Sequence, residues 1–130
     1  MFIETPKTSV AKSAEETFNF LSDLANFEKL MPENIDKFEV LNENRFLFAL
    51  KGMPEIVLEK KDQIPHSMLI LGAASEKLPF TLTAAISPSG STSSEVVLSF
   101  AGEFNAMMAM MIKNPITNFI NTLSDNLGKI

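Results

Sequence analysis

The sequence predicts an α+β fold in which an antiparallel sheet of about seven strands is covered by one long C-terminal helix. Three observations carry this. From residue 36 to about residue 104 apolar residues recur with a period of two and are separated by hairpin-length turns, which is the signature of antiparallel strands. From Ile116 to Ile130 the period changes: Ile116, Phe119, Ile120, Leu123, Leu127 and Ile130 form one helical stripe. A capping box at Ser13 and Glu16 opens a short helical insert near the start of the chain.

In chain order, residues 2–10 alternate weakly and read as a first strand, with Pro6 tolerable only near an edge. Phe18 and Leu21, with Phe20 beside them, give the helix after Ser13 its buried side. A second short helix runs from about Asp23 to Leu30, and Pro32 stops it. Phe38 and Val40 lead into a turn at 42–44. Phe46, Phe48 and Leu50 alternate through the next strand. Residues 51–54 form a turn; Ile56 and Leu58 continue a strand that Pro65 closes. Met68 to Leu71 is a short apolar strand followed by a loop at 72–77. The clearest alternation runs from Leu78 through Phe80, Leu82, Ala84 and Ile86. A hairpin loop at 87–94 leads to the last strand, which carries Val96, Leu98 and Phe100 and ends near Phe104.

The long helix has two unlike halves. Residues 106–112 have no polar side, and four of the seven are Met. That segment is expected to be buried or to form the wall of a cavity, because Met is flexible and adapts to irregular space. Pro115 lies between the halves. Inside a helix it removes one backbone hydrogen bond at a cost of ~3 kcal/mol. A new helix capped by Asn114 would instead accept it. One kinked helix is preferred over two abutting ones.

Composition narrows the function classes. A chain of 130 residues is expected to be one domain, 1–130. All 11 aromatics are Phe, which suits plain apolar lining better than the grip of sugars or bases. Net charge is −5, pI is near 4.8 and Arg45 is the single arginine. Nucleic acid is therefore not an expected partner. The absence of Cys excludes disulfides and thiolate metal sites. No apolar run reaches the ~20 residues of a membrane span, and the first residues do not resemble an export signal. The expected location is cytoplasmic, and no cofactor is expected.

No catalytic residue emerges. His66 is the single histidine and follows Pro65 at a strand boundary; an exposed turn residue is expected there rather than a general base. Glu15-Glu16 and Glu55/Glu59 read as a helix first turn and a solvated strand face, so no metal site is expected. Lys60 falls on the inward side if alternation from Ile56 and Leu58 is strict, and Arg45 is the other candidate for fixing an acidic head group at a pocket mouth. Leu47 and Ala49 point to the second face of the sheet. If Leu69 and Leu71 share it, the apolar outer patch favours a homodimer.

The element order, with a helical pair after the first strand and a long helix last, resembles the helix-grip fold of the Bet v 1/START-like superfamily. Particular stretches also resemble small bacterial members described as polyketide cyclase/dehydratase-like, or SRPBCC, proteins. These are residues 18–32 (FNFLSDLANFEKLMP), Lys51-Gly52-Met53, Leu78-Pro79-Phe80, the Met-rich run 107–111, and Asn114-Pro115. The resemblance implies a curved sheet wrapped around the last helix and a small hydrophobic ligand, lipid- or polyketide-like, held between them. The expected lining is Phe46, Phe48, Leu58, Met68, Phe80, Leu82, Leu98, Phe100, Met107, Met108, Met111, Ile112, Pro115 and Phe119. Other readings are a cyclase- or dehydratase-type enzyme and a protein-interaction module on the same fold. The resemblance carries over no catalytic residue.

Overall fold

The structure, a computed structural model, describes residues 1–53, 55–74 and 79–130. The predicted positions Pro54 and Leu78 and the loop at 75–77 lie outside the described residues. The element order is β1 (Phe2–Glu4), β2 (Thr8–Val10), α1 (Ala14–Ser22), a 3-10 helix (Leu24–Leu30), β3 (Ile35–Asn42), β4 (Arg45–Leu50), β5 (Ile56–Ile64), β6 (Met68–Ala73), β7 (Phe80–Pro88), β8 (Ser94–Gly102) and α2 (Ala106–Leu127). The strands form one antiparallel sheet in the order β1-β8-β7-β6-β5-β4-β3, and β2 also pairs with β8.

The predicted first strand is thus two short ones in line on the same partner. Pro6 has no amide to give the ladder, and the chain bypasses it. The Thr5 amide donates to the Leu98 carbonyl, and the Leu98 amide donates to Thr5 Oγ1. This is the edge of the sheet, where such a break is tolerated.

The two early helices start as the sequence predicts. Ser13 Oγ accepts from the Glu16 amide at 3.1 Å, and Glu16 Oε1 accepts from the Ser13 amide at 3.3 Å. α1 buries Thr17, Phe18 and Leu21. Asp23 caps the next segment, which winds as a 3-10 helix and buries Leu24, Phe27 and Leu30.

Alternation decides the faces of the sheet. Phe46, Phe48, Leu58, Leu69, Leu71, Leu82, Ala84, Ile86, Val96, Leu98 and Phe100 point inward and are buried. Their registers agree: Phe46 opposes Leu58, Leu71 opposes Leu82, and Leu82 opposes Phe100. Leu69 and Leu71 are each 1% exposed on this inner face. They do not join Leu47 outside, because pairing with Ala84 and Leu82 places them opposite inward residues. The outer face carries Leu47, Val57 and Ile70 among Thr81, Thr83, Val97 and Ser99.

α2 runs as one helix from its Asn105 cap, whose side chain accepts from the Met108 amide at 2.8 Å, straight through Pro115. Its second half closes the sheet. Ile116, Phe119, Ile120, Leu123 and Leu127 are buried. Phe119 stacks on Phe48 with centroids 5.0 Å apart and rings within 2° of parallel. Phe46 continues the stack to Phe48 at 6.0 Å and Phe27 at 5.2 Å. Among the described residues no helix is long and apolar enough to cross a membrane.

Ile120 is fully buried in the centre of this contact. Ile120→Ala should lower the free energy of unfolding by about 2–5 kcal/mol. The half-buried Ile112, in the other half of α2, should cost less when changed to Ala. Urea denaturation of the two variants side by side measures the difference.

Candidate functional site

The space between sheet and helix is filled. The cavity bounded by Leu21, Phe27, Leu30, Leu69, Leu71, Leu82, Ala84, Leu98, Leu123 and Leu127 has a volume of about 10 Å³, at most the room for one water. Most of the sequence-predicted lining packs the interior: Phe46, Phe48, Leu58, Leu82, Leu98, Phe100 and Phe119 are all buried. Phe80, Met108, Ile112 and Pro115 are half-buried, and Met68 is half-buried on the outer face, because it pairs with Ala85 and Ile64 while its neighbour Leu69 takes the inward place. The Met run departs most from expectation. Met107, Met110 and Met111 are 74%, 81% and 71% exposed. The fully buried stripe of α2 begins at Ile116, and in the turns before it three of the four methionines face solvent.

A sizeable concavity opens beside that helix. It has a volume of about 370 Å³ and is lined by Pro32, Asn34, Leu50, Lys51, Met53, Asn114, Pro115, Asn118, Phe119 and Thr122. Its size falls in the usual range for a small-molecule site, ~300–1,000 Å³. Of the predicted lining, only Pro115 and Phe119 reach it.

Local rules build both walls. Along α2, Asn114, Asn118 and Thr122 are spaced by four and share one side. Thr122 Oγ1 donates to the Asn118 carbonyl at 2.9 Å, which turns its hydroxyl inward on the helix. The facing wall starts with a tight turn in which the Met53 amide donates to the Leu50 carbonyl at 2.9 Å. Gly52 sits third in this turn with φ +83°, the position of a type II turn that favours glycine. The Lys51 amide donates to the Asn34 carbonyl at 2.9 Å, tying this turn to the segment after Pro32. The result is an apolar floor of Leu50, Met53, Pro115 and Phe119 with three primary amides above it. Lys51 is the ionisable group among the lining residues, and no carboxylate lies within 4.0 Å of it among the described residues.

The two predicted pocket-mouth cations lie elsewhere. Lys60 opposes the inward Leu71, as strict alternation requires. A bulge between Lys60 and Asp62 ends that alternation, and Lys60 lies half-buried at the rim near Asp23 and Glu43. Arg45 is on the outer face, where its Nε donates to Glu59 Oε2 at 2.7 Å, and Lys61 contacts the other oxygen of Glu59. The Lys61 hydrogen bond, and after it that of Arg45, holds the Glu59 carboxyl below its ordinary pKa. His66 is exposed in the β5–β6 turn, with its ring edge-on to Phe18 at 5.5 Å. Among the described residues no group of three or more acidic or histidine side chains is placed to hold a metal ion.

No family model matches the chain, and no curated protein matches it. Solved structures do. Truncated norcoclaurine synthase from Thalictrum flavum is 14% identical with a TM-score of 0.79, over 99% of this chain and 91% of that one. A START superfamily protein from Mycobacterium smegmatis is 13% identical with a TM-score of 0.73, over 98% and 94%. A conserved protein from Geobacillus kaustophilus is 13% identical with a TM-score of 0.70, over 99% and 93%. Likeness at this identity establishes the architecture alone: the chain has the helix-grip fold that these structures share.

Two outcomes follow from this geometry. Met107→Gln, Met110→Gln and Met111→Gln should each change stability by less than ~0.5 kcal/mol, since surface substitutions away from packed features do little; thermal melts monitored by circular dichroism measure this. Glu59 is more acidic folded than unfolded, so its contribution is present at neutral pH and is lost as pH falls through the carboxylate range. The acid limb of a stability–pH curve should therefore be shallower for Glu59→Gln than for the parent.

Proposed function

On this helix-grip scaffold, we propose that the protein binds or carries a small hydrophobic molecule with a polar end, and that the seam between α2 and the β4–β5 turn receives it. The observation that carries this reading is the seam itself: an apolar floor, a volume fit for a small molecule, and amide side chains grouped on one side. An apolar body would lie on Leu50, Met53, Pro115 and Phe119. Its polar end would face Asn34, Asn114, Asn118 and Lys51, which suits a carbonyl, hydroxyl or carboxylate. The filled interior favours this position, because a ligand at the seam displaces no packed side chain.

The cyclase or dehydratase alternative needs an acid and a base beside the substrate. Among the described residues the lining offers one lysine as its ionisable group, and the amides grouped beside an apolar floor support binding first. A protein-interaction role has one observation of its own, the three exposed methionines at the start of α2. Exposed Met is common where a surface must adapt to varied partners.

Displacement of a fluorescent fatty acid, with native mass spectrometry of the purified protein, tests the proposal. Asn118→Leu and Lys51→Ala should each weaken binding by about tenfold, roughly the loss of one hydrogen bond to a charged or buried group, with unchanged melting. Absence of retained ligand and of displacement would sink the reading. Displacement that responds to Met107→Gln and Met111→Gln but not to Asn118→Leu would move the site to the methionine surface.

A further inference from the structure

At the opposite end of α2 a second concavity, of about 550 Å³, is lined by Lys12, Phe20, Lys29, Asn126, Lys129 and Ile130. Three of the chain's 11 basic residues meet here in a protein whose net charge is −5. They come from three places in the chain: the β2–α1 loop, the 3-10 helix and the residues after α2. Among the described residues no carboxylate side chain belongs to the lining. Among the described residues the ion pairs are Lys37–Glu55, Arg45–Glu59 and Lys61–Glu59, so none of these three lysines is paired.

An ordinary explanation is that these cations offset the negative ends of α2 and the 3-10 helix. The magnitudes do not balance. Two helix ends supply at most about one negative charge together, against three ammonium groups. Their carbonyls are also occupied. Asn126 Nδ2 donates to the Leu30 carbonyl at 2.8 Å. The amides of Gly128, Lys129 and Ile130 take the carbonyls of Ser124, Asn126 and Leu127. Even with the Ile130 α-carboxylate counted beside the helix ends, the three ammonium groups leave a net positive charge around a concavity whose apolar side chains are Phe20 and Ile130. Lys29 Nζ already lies 5.9 Å from the centre of the Phe20 ring, and an aromatic face beside a cation accepts a second planar or apolar group.

We propose that this end of the molecule binds a phosphorylated small molecule. Its phosphate would sit among Lys12, Lys29 and Lys129, and its apolar or aromatic part would lie on Phe20 and Ile130. A phosphate monoester carries about −1.5 to −2 charges at neutral pH with three acceptor oxygens, which suits a net positive concavity with three cationic donors from separate segments. Lysine is a point-charge phosphate binder and needs no planar fork. This site is distinct from the seam at Asn114 and Asn118, so either can fail without the other.

Titration of the ¹⁵N-labelled protein with phenyl phosphate tests the proposal. Saturable shifts should cluster at the amides of Lys12, Phe20, Lys29 and Lys129. Inorganic phosphate should bind the same residues more weakly. Raising salt from about 0.02 to about 0.3 M should weaken binding several-fold. Lys12→Gln combined with Lys129→Gln should raise the Kd by about tenfold or more, with unchanged shifts elsewhere reporting an intact fold; Lys29→Gln alone gives an independent, smaller loss. Shifts that do not saturate, a Kd indifferent to the lysine substitutions, or shifts centred on Asn114 and Asn118 would overturn it.

Discussion

The contact between the second half of α2 and the concave side of the sheet is the constraint on which the rest depends. Strands β4 to β8 present a broad apolar inner face, and burial of such a face is the main favourable term in folding. α2 is the long helix that covers it. The ring stack Phe27–Phe46–Phe48–Phe119 runs from the 3-10 helix through the sheet to α2 and ties three elements at one place. Leu123 and Leu127 extend the closure toward α1 and the 3-10 helix, leaving about 10 Å³ between them.

Filling the interior moves the candidate site outward. Where α2 leaves the core at Pro115, its neighbouring side chains Asn114 and Asn118 face the β4–β5 turn rather than the sheet, and a seam opens. Pro115 thus marks the boundary between the packed half and a half that makes little use of the core. The proline does not end the helix, because loss of one backbone bond (~3 kcal/mol) is offset by the stripe that continues beyond it. Met107, Met110 and Met111 before it lie outside, while Met108 is half-buried and Ile112 still packs against the core.

Charge follows the same division. On the outer sheet face, cations are matched locally: Lys37 with Glu55, and Arg45 and Lys61 with Glu59. Where α2, the 3-10 helix and the β2–α1 loop meet, three lysines are left without carboxylate side chains among the described residues. Local pairing needs adjacent strands; the lysine group arises only when distant segments converge.

The sequence alone determined the architecture, because period-two and period-3.6 patterns, the Ser13 capping box and the stops at Pro32 and Pro65 act over a few residues. It determined the inward residues of β4, β7 and β8, and it placed Ile116, Phe119, Ile120, Leu123 and Leu127 on the docking stripe; on β6, a short strand apolar on both faces, it expected Met68 inside, whereas the register puts Leu69 and Leu71 there. It did not separate the helices' exact winding or the break at Pro6, where hydrogen bonds to β8 decide. It could not tell a filled interior from a cavity, since both need the same apolar residues and differ only in how closely the helix approaches the sheet. The apolar turns at 106–112 read as buried because composition carries no information about reach. The i, i+4 spacing of Asn114, Asn118 and Thr122 puts them on one side of the helix, but nothing in the sequence singled them out until the tertiary structure set them against Lys51 and Asn34. The two walls are far apart in sequence, and a hydrogen bond between the backbone of Lys51 and Asn34 brings one of them into place.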